Sequence, residues 1–170
     1  MKKICYKSRV FSVAEEDVKI KGNNIKFTRL IENNVVVILA FINDKIILER
    51  QYRPALSDYI YELPAGHIEK GEDPKAAVKR ELKEETGYTA KTIKFMFESY
   101  PMIGISDVRS KYYIVEDLTP GNTNLEINED IEIKLVSIDD VLKMIKNHKI
   151  KDQKTILAIL FYKYLYKDNN

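Results

Sequence analysis

The sequence predicts an α/β/α sandwich with a mixed sheet, preceded by a small antiparallel sheet at the N-terminus. Three observations carry this expectation. Strand-like runs stand on both sides of one helix-forming segment at 74–86, and further helical patterns close the chain. The third is VVVILAFI at 35–42, a continuous apolar run of the kind that a strand buried on both faces requires.

Taken in order, residues 4–12 and 18–31 read as strands, and Gly22, Asn23 and Asn24 interrupt the second run where a hairpin turns. Residues 1–34 are therefore expected to form the small N-terminal sheet, a candidate dimerisation unit, with the main domain over 35–170. The buried run turns at Asn43 and Asp44 and returns as KIILERQYR (45–53), which Pro54 ends. After a short loop, YIYEL (59–63) is a further strand. The central helix is bounded by local signals: Asp73 is a good N-cap, Pro74 suits the first helical position, and Gly87 suits a left-handed stop. TIKFMFESY (92–100) and SKYYIVEDL (110–118) follow as strands separated by PMIGISDVR. A link rich in Gly, Asn and Pro then leads to a strand, EIKLVS (132–137). Ser137, with Asp139 and Asp140 in the first turn, starts a helix, and Asp152 caps a last helix that is apolar on most faces.

Composition narrows the class. An apolar fraction of 45% is enough for a true core in a chain of 170 residues, and the single cysteine, Cys5, leaves no internal disulfide. A net charge of +2 argues neither for nor against a polyanionic partner. No apolar run reaches membrane-spanning length, and the N-terminus has neither the long apolar stretch nor the cleavage site of a signal peptide. The expectation is a soluble cytoplasmic protein with a small-molecule substrate and no nucleic-acid or membrane partner.

The chemistry concentrates between Gly66 and Tyr88, in GHIEKGEDPKAAVKRELKEETGY. At 3.6 residues per turn, Glu81, Glu84 and Glu85 share one helix face, with Ala77 a turn earlier and Val78 and Leu82 beside it as anchors to a core. Three carboxylates so close repel one another unless a cation sits among them, and all-oxygen donors suit hard divalent ions such as Mg2+ or Mn2+. The plainer reading is a solvated acidic face. The spacing overturns it. Gly66, Glu72, Arg80, Glu81, Leu82, Glu84, Glu85, Gly87 and Tyr88 fit the pattern G-x5-E-x7-R-E-U-x-E-E-x-G-U at every fixed position, U being bulky and apolar. Seven of those positions demand one residue type each, so a chance match is on the order of one in a million.

That pattern is the Nudix box, and the chain closely resembles Nudix hydrolases, which cleave nucleoside diphosphates linked to a further moiety. The flanks resemble the ADP-ribose pyrophosphatase branch, in which Gln51-Tyr52-Arg53-Pro54 and Glu62-Leu63-Pro64-Ala65-Gly66 precede the box and a proline, here Pro101, follows it. The resemblance spans roughly residues 28–162. It implies a Nudix-type sandwich that hydrolyses the pyrophosphate of ADP-ribose to AMP and ribose 5-phosphate, with Mg2+ or Mn2+ as cofactor; the alternatives are a hydrolase of another nucleoside-diphosphate sugar or dinucleotide, or a non-catalytic Nudix ligand sensor. By the same resemblance Glu81 and Glu85 are the main metal ligands, Glu84 a further one, and the Ala65 carbonyl another. Arg80 is expected to fix these carboxylates by ion pairing. Glu72 is expected to hold the loop-to-helix geometry, and Gly66 to permit a tight turn. Arg53 is a candidate phosphate fork, and Glu62, His67 and Pro101 are candidate substrate contacts.

In the branch a glutamate on a late loop activates water and a neighbour binds metal. Aligning Asn128-Glu129-Asp130 with that run puts Glu129 on the metal-ligand position and Ile127 where the base is expected. The earlier loop reads Ser106-Asp107-Val108, where many relatives have a glutamate third. The base therefore stands open between Glu129, Glu126 and a box glutamate. Relatives of the branch are commonly homodimers, with N-terminal strands exchanged, which implies the same here.

Overall fold

The apolar run at 35–42 becomes the central strand of the protein. In the computed structural model, which describes residues 2–125 and 130–166, this strand is β4 (Val35–Ile42). Its side chains divide by alternation. Val36, Ile38 and Ala40 pack with Ile47, Ala77, Val78, Leu82 and Val115 on one face of the sheet. Val37 and Leu39 pack on the other with Ile46, Leu48, Val141, Ile150 and Ile159. Two cores back to back on one strand make the expected α/β/α sandwich.

Three strands precede it. β1 (Lys3–Lys7), β2 (Ser12–Ile20) and β3 (Asn23–Ile31) form a separate antiparallel sheet in that order. The reading of 4–12 as one strand needs correction. Ser8 accepts from the N–H groups of Val10 and Phe11 through its Oγ, so a turn splits β1 from β2. The second turn falls at Lys21 and Gly22, both with positive φ. Leu30 N–H donates to the Ile105 carbonyl at 2.9 Å, and Arg29 pairs with Asp107 at 3.2 Å, which ties this sheet to the main body.

The main sheet runs in the order β10-β5-β4-β9-β8, with β6 added to β5 and β7 to β4. Its strands are β5 (Lys45–Arg53), β6 (Asp58–Glu62), β7 (Ala65–His67), β8 (Thr89–Ser99), β9 (Ser110–Thr119) and β10 (Ile131–Ser137). β4 and β9 are parallel; the other pairs are antiparallel, which makes the sheet mixed.

Helix α1 (Pro74–Thr86) has the predicted bounds. Asp73 accepts from the N–H groups of Lys75 and Ala76, and Gly87 ends the helix at φ 78°. On the opposite face lie α2 (Ile138–Lys146), capped by Ser137, and α3 (Gln153–Phe161), capped by Asp152, with a π-turn following at Tyr162–Tyr166. Among the described residues no helix is long and apolar enough to cross a membrane.

Candidate active site

Strands β4, β5 and β7 and helices α1 and α3 meet at one cleft of about 650 Å³. β5 brings Gln51 and Arg53, β7 brings Ala65, Gly66 and His67, and α1 brings Arg80, Glu81, Glu84 and Glu85. Asn124 and Lys154 come from later in the chain, and Arg9 and Val10 from the β1–β2 turn.

The carboxylate wall is organised by Arg80. Its Nε and Nη2 fork Glu72 at 3.0 Å each, and Nη2 also reaches the His67 carbonyl at 2.9 Å. Its Nη1 donates to Glu81 at 2.7 Å and to Glu84 at 3.2 Å. Hydrogen bonding to Glu72, then to Glu81, raises the Arg80 pKa far above its usual value, and the same fork lowers that of Glu72. Glu72 also accepts from the Glu69 N–H at 2.9 Å, so it holds the turn before α1. Gly66 lies so close beneath Glu81 that a Cβ there would meet the carboxylate at 1.9–2.3 Å.

Glu85 is buried and turned inward. The Ala65 N–H donates to its Oε2 at 3.1 Å, and Glu49 is its electrostatic neighbour. Glu49, 1% exposed on β5, is a site residue that sequence reasoning passed over. Burial, then the charge of Glu62 directly across the β5–β6 pair, pushes its pKa up to about 8. Its Oε1 has no partner among the described residues. Ile47, Glu49, Gln51 and Arg53 follow one another at spacing two along β5, so a polar continuation of a core-facing row was the available signal.

Two cations, Arg53 and Lys154, line the same cleft. Arg53 forks Glu62 through Nε at 2.6 Å and Nη2 at 2.8 Å. Lys154 bonds the same carboxylate and also pairs with Asp152 at 3.1 Å. Burial pushes the Glu62 carboxyl upward, but its bonds from Arg53 and Lys154 outweigh this and hold it below the ordinary range. Glu62 is 2% exposed and lies behind the cleft surface, bracing both cations. Lys154 was also missed from sequence.

Pro101 lines a smaller cavity of about 220 Å³, which shares Val35 and Lys154 with the cleft. Glu126 and Glu129 lie outside the described residues. On one side of them the Asn124 N–H donates to the Glu84 carbonyl at 2.9 Å; on the other, the Asp130 carbonyl accepts from the Tyr52 N–H at 3.1 Å.

The donor set fits a hard divalent cation in kind: carboxylate oxygens of Glu81, Glu84 and Glu85 line one cleft with Ala65. Among the described residues no three such side chains converge into a ready-made ligand cluster. Arg80 supplies the positive charge for Glu81 and Glu84 instead.

Fold, box and cleft together define a hydrolase of the Nudix class. The comparison with known sequences agrees: residues 32–158 match the NUDIX domain, and the chain belongs to that family. It is 32% identical over 160 residues to an ADP-ribose pyrophosphatase of Bacillus subtilis (strain 168), covering 92% of this chain and 86% of the relative. It is 30% identical, with the same coverage, to a methanol dehydrogenase activator of Bacillus methanolicus. A crystal structure described as an ADP compounds hydrolase superposes with a TM-score of 0.88 over 100% of this chain and 94% of that one; at 20% identity this supports the fold.

Proposed function

We propose that the protein hydrolyses the pyrophosphate of ADP-ribose to AMP and ribose 5-phosphate, with a divalent cation, Mg2+ or Mn2+, held by Glu81, Glu84, Glu85 and the Ala65 carbonyl. The observation that carries this reading is one cleft lined both by the box carboxylates on α1 and by Arg53 on β5. A diphosphate ester is an anion that needs positive charge on both sides. The cation, when bound, neutralises phosphate charge and lowers the pKa of water. Arg53, locked by Glu62, presents a preset fork to phosphate. Arg80 holds Glu81 and Glu84 in place, and the Ala65 N–H aims Glu85. The proton acceptor for the attacking water is Glu129, Glu126 or a box glutamate.

The test is a panel of nucleotide sugars and dinucleotides with Mg2+, products separated by chromatography. ADP-ribose is expected to give AMP and ribose 5-phosphate at the highest kcat/KM; a preference for GDP- or UDP-sugars would reject the assignment. A second reading, a regulator of another enzyme, takes its support from the name of the Bacillus methanolicus relative. The intact carboxylate wall argues for turnover.

We also infer a homodimer. Ile4, Tyr6, Ile20 and Ile25 on the N-terminal sheet and Val10 in its first turn are each at least 40% exposed, apolar surface that a second copy would cover. A monomeric mass in solution would refute it.

A further inference from the structure

Lys154 occupies a place that its sequence position does not announce. It is the one charged residue common to the linings of the carboxylate cleft and the adjoining 220 Å³ cavity among the described residues; Val35 is the other residue they share. Its ammonium is fixed from two sides, by Glu62 and by Asp152. The backbone that carries it is fixed as well. Asp152 accepts from the Thr155 N–H at 3.0 Å and from Thr155 Oγ1 at 2.6 Å, while Thr155 Oγ1 accepts from the Leu63 N–H at 2.8 Å. The start of α3 is thereby pinned to the residue after Glu62. The side chain is 21% exposed, so the head is neither sealed in nor free to swing. An ammonium has three N–H donors; here one is hydrogen-bonded to Glu62, and Asp152 adds an ion pair at 3.1 Å.

We propose that Lys154 is a substrate-positioning residue: its ammonium grips a phosphate oxygen at the boundary that the cleft and the smaller cavity share. This rests on the reading of the cleft as a diphosphate site. With the diphosphate at the box carboxylates, a terminal group of the substrate that reaches the smaller cavity lies beside Val35 and Lys154, the two residues common to both linings. The phosphate nearer that group is then the one that Lys154 meets. Glu62 then has one task toward two cations. It binds Arg53 and Lys154 through one carboxylate, which holds the two cations near each other for the same anion. Asp152 prevents Lys154 from collapsing onto Glu62 alone. A lysine that served only to neutralise Glu62, which Arg53 already forks, would have no need of a place on two cavity walls.

The experiment measures binding of α,β-methylene ADP-ribose, a non-hydrolysable analogue, by calorimetry with Mg2+, alongside kcat and KM for ADP-ribose. The variants are Lys154→Met, Lys154→Arg, Glu62→Gln and the double variant Lys154→Met with Glu62→Gln. Loss of one charge-assisted phosphate bond is expected to weaken analogue binding about tenfold to a hundredfold in Lys154→Met, raising KM more than it lowers kcat. Lys154→Arg should recover most of the affinity. The decisive comparison is the double variant against Glu62→Gln alone, since the glutamine leaves no buried charge for the lysine to neutralise. If the loss persists in that background, Lys154 touches the substrate. If Lys154→Met costs nothing there, the lysine is only a counterion and the proposal is overturned. Wild-type protein that neither binds the analogue nor cleaves ADP-ribose would remove the function and this inference together. Wild-type activity with an indifferent Lys154→Met would remove the inference alone.

Discussion

Gly66→Ala tests the carboxylate wall with a single methyl group. The added Cβ would stand 1.9 Å from Glu81 Cδ and 2.0 and 2.3 Å from its oxygens. Ordinary contact begins near 3.4 Å, so the carboxylate must retreat by at least about 1.5 Å. Arg80 cannot follow, because it is held by Glu72 through two bonds and by the His67 carbonyl. The 2.7 Å bond from Arg80 to Glu81 is therefore lost, which costs about 1.5–3 kcal/mol. Alanine restricts the unfolded chain and offsets about 0.4–1 kcal/mol of this. The expected stability loss is about 1–2 kcal/mol, a fall in Tm of roughly 2–8 °C for a chain of this size. Activity should suffer far more, since misplacing a catalytic group by about 1 Å costs around a hundredfold. The assay is release of AMP from ADP-ribose across a Mg2+ titration, with Tm measured on the same samples. Near-normal kcat/KM and Mg2+ dependence would refute the view that Gly66 exists to make room for Glu81. The same variant combined with Glu81→Ala should be no less stable than Glu81→Ala alone.

Three further outcomes follow from the geometry. Glu85→Gln keeps the shape of the residue that accepts from the Ala65 N–H but removes its charge, and kcat for ADP-ribose should fall at least about a hundredfold with Tm little changed. Arg80→Lys keeps charge but loses the fork on Glu72; urea unfolding should show a loss of about 1–3 kcal/mol. Glu49→Gln alters the pH dependence of stability in chelator. Burial raises the Glu49 pKa from 4.5 to about 8, so between those values the unfolded chain has released a proton that the folded chain retains. Wild-type stability should therefore fall as pH rises through that window, by up to about 1.4 kcal/mol per unit, and level off above it. The glutamine variant should lack that slope; equal slopes in urea midpoints from pH 5 to 8 would contradict the assignment.

Local signals in the sequence located α1 to the residue, because Asp73, Pro74 and Gly87 act within a few residues of the helix ends. β4 and β5 were equally plain, being an apolar run and its return across a two-residue turn. What escaped depends on distance along the chain. β7 is three residues with no strand character, made a strand by pairing with β4. Lys154 meets Glu62 across 92 residues, and no periodicity connects them. Glu49 sits in a strand called correctly, yet its burial follows from what β6 and α1 place against it. The turn at Ser8 was read through because both sides of it have strand composition.

The parallel pairing of β4 with β9 has a consequence for how the chain is made. Val35 aligns with Ser110, 75 residues later. One edge of β4 can close early, with β5 at its end and β7 at its start. The other edge waits for β9. At about 5–20 residues per second, a ribosome leaves that edge of VVVILAFI uncovered for roughly 4–15 seconds. The most apolar segment of the chain is thus also among the last to be sealed, and nascent-chain aggregation should begin there.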